Sequence, residues 1–300
     1  MSLPIQTRTS SLTSRERLWM VTLIGAILVF TAIYLLFVRT AWGQTVENAA
    51  LIGAGLAPGN SVQVDNSSLA VISRTSLGVA VLGLGALGWW RAGWRLGVGA
   101  AAVVAGSTLI AEGLKRFLLS RPELVDAPPN LLHNSFPSGH TTIAMSLLLA
   151  TLLVIPLRWR GIAMFLTLTW ATGIGALTVA ARWHRLSDTL GGDLVALSVA
   201  LVALIWLSRR GLVRPAPRRH YPLRGLYLAA IVLLGVGALG IGLGLLILNG
   251  QVNQPGTEVF AVNSYYASHA LALAGSVFTA LGFWACLRQL ETTPTRPKSG

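Results

Sequence analysis

The 300-residue chain has a single cysteine, two lysines and only ten acidic residues. One cysteine, Cys286, excludes an intramolecular disulfide, so cysteine usage says nothing about redox compartment. Charged residues make up 11% of the chain against 53% hydrophobic ones, a balance that a soluble chain of this length could not hold in solution. No set of His, Cys, Asp and Glu residues has metal-ligand spacing, so no metal and no other cofactor is expected. No internal repeat joins the two halves, which leaves an inverted-repeat transporter unsupported. No small-residue cleavage site follows Arg15, Glu16 and Arg17, so the first apolar run is expected to stay as an anchor.

The chain does have long apolar runs, at 18–38, 75–90, 96–114, 141–157, 161–181, 189–208, 225–248 and 264–287. Eight membrane spans are therefore expected, with the second starting as early as Ser67 and Arg74 snorkelling from its end. The expected fold class is an all-α polytopic transmembrane helix bundle. Its predicted units are an inner tail at 1–17, a six-span core with its basic inner loop at 18–224, two further spans at 225–287, and an inner tail at 288–300. The polar stretch 1–14 is expected to be disordered. The segment 39–67 reads as a short interfacial helix followed by a turn.

With the N-terminus inside, sixteen of the twenty-three basic residues fall in inner segments, as the retention of positive charge on the cytoplasmic side requires. Both termini are then cytoplasmic. Topology and anionic inner-leaflet lipid account for the net charge of +13, so the bilayer and not nucleic acid is the expected partner. Arginine outnumbers lysine twenty-one to two, a bias that suggests a GC-rich genome and a bacterial plasma membrane. Trp89, Trp90 and Trp94 read as an aromatic belt.

The seven outer basic residues are Arg39, Arg74, Lys115, Arg116, Arg121, Arg182 and Arg185. Lys115, Arg116 and Arg121 form one polar cluster, and two others lie on the same side of the membrane. One is the turn Phe136-Pro137-Ser138-Gly139-His140, which opens an apolar run; a helix N-terminus there would aim free N–H groups at an anion, or Ser138 would simply cap the helix. The other is Arg182-Trp183-His184-Arg185-Leu186-Ser187-Asp188, where His184 and Asp188 stand four apart on one helix face. Two histidines, a carboxylate, several cations and a helix N-terminus supply the parts of metal-free phosphoryl transfer.

In these residues the chain resembles the type 2 phosphatidic acid phosphatases, which share a core with vanadium-dependent haloperoxidases. The family pattern of a lysine and an Arg-Pro pair, a Pro-Ser-Gly-His turn, and an arginine followed by a histidine with an aspartate four on falls here on Lys115 with Arg121 and Pro122, on Pro137 to His140, and on Arg182, His184 and Asp188. Two departures stand out. Five residues separate Lys115 from Arg121 where the family has six, which brings Arg116 forward as a substitute for Lys115. Thr178 occupies the place, six before the histidine, where the family carries its arginine, which leaves Arg182 with Arg185 as its rival.

The resemblance implies that His184 attacks phosphorus to form a phosphohistidine, that Asp188 orients it, and that His140 protonates the leaving oxygen. It implies that Lys115, Arg121, Ser138, Gly139 and Arg182 hold the phosphoryl oxygens. Asp193, an acid inside span six, is expected to support the site through Arg182 or a backbone group, with a proton path as the alternative. The implied activity is a metal-independent extracytoplasmic phosphatase acting on a lipid phosphate or diphosphate: a polyprenyl diphosphate, phosphatidic acid or phosphatidylglycerol phosphate. A lipid-to-lipid phosphotransferase and a non-catalytic lipid-binding or transport protein remain open alternatives.

Overall fold

The computed structural model describes residues 5–58, 69–70, 72–127, 132–216 and 222–293. Ser67, expected above as the earliest start of the second span, lies outside these, as do parts of the basic inner loop before 224 and of the tail at 288–300. So does the Arg74 side chain. The elements in chain order are α1 (Ile5–Ile33), continued by a π-turn at Tyr34–Val38, α2 (Ala41–Leu56), α3 (Arg74–Ala92) and α4 (Trp94–Gly113), itself continued by a π-turn at Leu114–Leu118. After a loop come α5 (Gly139–Val154), α6 (Arg160–Ala180), α7 (Leu186–Arg209), β1 (Val213–Pro215), α8 (Pro222–Val252), α9 (Glu258–Cys286) and β2 (Leu290–Thr292).

The result is an all-α polytopic bundle. Among the described residues six stretches, Ser14–Val38, Trp94–Leu118, Arg160–Ala180, Leu186–Arg209, Gly225–Val252 and Glu258–Cys286, are long and apolar enough to cross a bilayer, and α5 is a shorter apolar helix. Residues 5–14 depart from expectation, because α1 already begins at Ile5. Once the apolar run has nucleated a helix, extending it over polar residues adds a hydrogen bond per residue.

The core forms where α5 and α7 pack together, with Met145, Leu148, Leu149 and Leu152 of one buried alongside Ala196, Ala200, Leu201 and Leu204 of the other. The outer helices leave large apolar side chains uncovered, such as Leu28 on α1, Leu82 on α3 and Leu233 on α8. Acyl chains solvate such faces as well as protein does. Trp89, Trp90 and Trp94, at the α3–α4 corner, are all exposed. That corner closes on glycine: a Cβ at Gly97 would lie 2.5 Å from Gly85 O, and Gly93 takes a φ of 87°.

Helix α2 is not the surface helix expected. It buries Gln44, Glu47 and Asn48 and packs along α9. At Gly53 the two backbones touch, since a Cβ there would sit 2.0 Å from Ala261 O. Gly53→Val is therefore expected to cost about 1–3 kcal/mol by forcing the helices apart. A lowered thermal midpoint in detergent would show it, with Gly25→Ala, which meets nothing within 4 Å, as the neutral control.

At the opposite end the segment after α9 is tied in. Strand β2 pairs antiparallel with β1, Val213 opposite Thr292. The buried Arg160 donates to Leu287 O at 3.2 Å and Leu290 O at 2.9 Å, and Trp19 Nε1 donates to Cys286 O at 3.1 Å. The bonds to Cys286 O and Leu287 O satisfy carbonyls that the α9 C-terminus leaves unpaired, and the bond to Leu290 O ties in β2.

Candidate active site

The site is built on the turn before α5. Ser138 caps that helix, its Oγ accepting from Thr141 N at 3.3 Å and from Thr141 Oγ1 at 3.1 Å. The turn is also tied across the bundle, because Ser138 N donates to Asp188 O at 2.8 Å. Helix α7 can come this close only through glycine. A Cβ at Gly191 would meet the Phe136 ring at 2.7 Å, and one at Gly192 would meet Ser138 O at 2.8 Å.

The second part is the corner between α6 and α7. Thr178 O accepts from both Trp183 N at 3.0 Å and His184 N at 3.1 Å, and Arg182 adopts a left-handed φ of 63° to make the reversal. Asp188 sits in the first turn of α7, fully buried. Its Oδ2 accepts from Arg185 N at 2.8 Å and from Ser135 Oγ at 2.5 Å, and lies 3.4 Å from His184 Nδ1. With Nδ1 turned to the carboxylate, Nε2 is the His184 nitrogen left for chemistry.

His184 and His140 line one cavity of about 430 Å³, together with Gly139, Glu112, Lys115 and Arg116. The two imidazole centroids are 6.0 Å apart, and the Trp183 ring stands edge-on to His140 at 5.2 Å. Glu112 lies between the cations, 3.4 Å from Lys115 Nζ and 2.9 Å from Arg116 Nε. Ile72, Leu77, Thr108 and Ile143 form the rest of the wall, so one side of an otherwise charged chamber is mostly apolar.

The other predicted residues are placed differently. Arg121 does not line this cavity; its Nη1 and Nη2 lie 3.2 and 3.3 Å from Glu47 Oε2, with both side chains buried. Arg185 is buried too, donating through Nη1 to Ser135 Oγ at 3.0 Å and through Nε and Nη2 to Asn48 Oδ1 at 3.4 and 3.3 Å. Arg182 is exposed, its Nη1 3.2 Å from where a Cβ on Gly55 would be. Thr178, where the family carries arginine, is fully buried and bonds Gly175 O at 2.8 Å. Asp193 is buried one and a half turns beyond Asp188; its Oδ2 accepts from Ser276 Oγ of α9 at 2.7 Å, so the partner is Ser276 and not Arg182.

Four polar residues near the site escaped the sequence reading: Glu47, Asn48, Ser135 and Glu112. Glu47 left a signal. A carboxylate followed by the neutral, largely apolar stretch 49–56 must find a partner when buried, and the outer segments carry a surplus of arginine to provide one. Burial pushes the Glu47 carboxyl above the usual carboxylate range, and Arg121 pulls it back down. For Arg185, burial lowers the guanidinium pKa while Asp188 raises it. The two acids and two arginines balance in charge, as a buried cluster must.

No curated protein and no solved structure matched the chain. Residues 93–212, which run from the α3–α4 corner past the end of α7, match the family model described as PAP2 superfamily. Over that stretch the chain is similar to the PAP2 superfamily, in keeping with the resemblance carried by its motif residues.

Proposed function

We propose that the protein is a lipid phosphate or diphosphate phosphatase that works through a phosphohistidine on His184. PAP2 members are phosphatases of phosphate esters, often lipid ones. The observation that carries the reading is the cavity in which His184, backed by Asp188, faces His140 beside Lys115, Arg116 and the start of α5.

In the proposed cycle His184 Nε2 attacks phosphorus and the P–O bond to the leaving group breaks, with His140 giving that oxygen its proton. Water then attacks the phosphohistidine. His140 takes the water proton, the P–N bond breaks, and phosphate leaves with His184 restored. Lys115, Arg116 and the Gly139 N–H hold the phosphoryl oxygens as charge builds on them. Ser138 keeps the helix start in place, and Arg121, its charge balanced by Glu47, braces the loop behind the cavity. Arg182, exposed beside Gly55, has no role in this scheme.

The apolar wall of Ile72, Leu77 and Ile143 suits a substrate whose tail stays in the bilayer. The excess of basic residues at the other end favours a site on the extracytoplasmic face of a plasma membrane. The test is phosphate release from polyprenyl and glycerolipid phosphates by the purified protein in detergent, with and without EDTA. Release is expected with at least one lipid class at a rate that EDTA does not change. Label appearing only on a second lipid would assign phosphotransfer instead, and no turnover on any lipid would remove the enzyme reading.

A further inference from the structure

The stretch that matches the family begins at residue 93, yet the buried side of the site is closed by a helix that lies well before it. Two consecutive residues of α2 reach three different parts of the site. Glu47 Oε2 receives Arg121, next to Pro122, while its Oε1 accepts from Ser187 N at 2.8 Å, in the first turn of α7. Asn48 Oδ1 accepts from Arg185. One turn earlier, Gln44 Nε2 donates to Pro122 O at 2.6 Å and Gln44 Oε1 accepts from Leu124 N at 3.3 Å.

From these anchors hydrogen bonds run from Asn48 to Arg185, Arg185 to Ser135 and Ser135 to Asp188, and Asp188 Oδ2 lies 3.4 Å from His184 Nδ1. On its other side α2 meets the α9 backbone at Gly53. Helix α9 thus bears on the site through α2.

We propose that α2 completes the site, with Glu47 as the positioning residue that fixes both Arg121 and the α7 turn bearing Asp188. Glu47 is fully enclosed and touches no part of the cavity, so it acts through what it holds. A carboxylate suits the place because two separate groups donate to its two oxygens. An amide has only one acceptor oxygen, so Glu47→Gln can serve Arg121 or the Ser187 N–H but not both.

The inference rests on the phosphatase reading for its kinetic consequence only, and hydrogen exchange tests it without substrate. In Glu47→Gln, peptides covering 182–189 and 119–124 should exchange about tenfold faster or more, with α5 and α6 unchanged. The kcat for phosphate release should fall by about tenfold or more, with KM within about threefold, because a misplaced catalytic group costs turnover more than binding. Unchanged exchange at 182–189, or exchange raised equally through the whole bundle, would overturn the positioning role whatever the activity shows. A wild-type protein that releases no phosphate would remove the phosphatase reading and leave the exchange result decisive. Should Glu47→Gln not fold, Asn48→Ala removes an acceptor from the same network without a change of charge and is expected to loosen 182–189 alone.

Discussion

His184→Gln is expected to lose phosphate release by roughly a thousandfold or more while keeping the fold. The side chain is almost fully buried, so a residue of similar size is needed to avoid a cavity, and glutamine provides it. The turn itself depends on the backbone, through His184 N and Trp183 N bonding Thr178 O, and these bonds survive the change. What goes is the nitrogen that would form the P–N bond. Without it, hydrolysis needs direct attack by water, with only the cations and the α5 N-terminus to help. The measurement is single-turnover phosphate release with a thermal midpoint taken on the same preparation. Activity within tenfold of wild type would assign the nucleophile elsewhere.

Asp188→Asn should produce the next largest loss, about a hundredfold to ten-thousandfold in kcat. The carboxylate accepts from Arg185 N and Ser135 Oγ and faces His184 Nδ1 through the same Oδ2. An amide can keep some of these contacts, but its NH₂ then points at one of the former donors. Turned toward His184, it holds Nδ1 as an acceptor and places the ring proton on Nε2, the nitrogen that must attack. The same exchange behind a catalytic histidine elsewhere costs about ten-thousandfold with the geometry intact. The charge matters as well, since a phosphohistidine carries a cationic ring that a neutral amide does not stabilise. Saturating-substrate rates across pH 5–9 would decide it, on the general-base range in which histidine operates. A kcat within threefold of wild type at every pH would leave Asp188 a structural residue.

The contrast between the arginines shows where reading the chain stops. Lys115, Arg121, Arg182 and Arg185 look alike in sequence: basic residues near motif positions on one side of the membrane. In the folded chain Lys115 lines the cavity, Arg121 and Arg185 are sealed behind it, and Arg182 points outward. Which of these a given arginine becomes depends on whether an acceptor waits within reach of its guanidinium. The acceptors are Glu47, Asn48 and Ser135, and Glu47 lies 74 residues from Arg121. Asp193 makes the same point. A lone acid inside an apolar helix announces a partner, but only packing named it as Ser276 of α9.

What the sequence by itself determined was local or periodic. Long uncharged runs dictate helices that cross a bilayer, since a helix makes its backbone hydrogen bonds within the one apolar segment. A Pro-Ser-Gly-His turn dictates a capped helix start, whereas His184 precedes α7, so its approach to Asp188 is set by the α6–α7 corner and not by helical spacing. Only the tertiary structure decided that α2 turns its polar residues inward, that α9 backs it, and that two of the five candidate phosphate-binding cations, Arg121 and Arg185, are already balanced by buried partners. Those outcomes follow from buried charges seeking partners over long stretches of chain, and the cost of leaving such a charge unpaired is set by what packs around it and not by its neighbours in sequence.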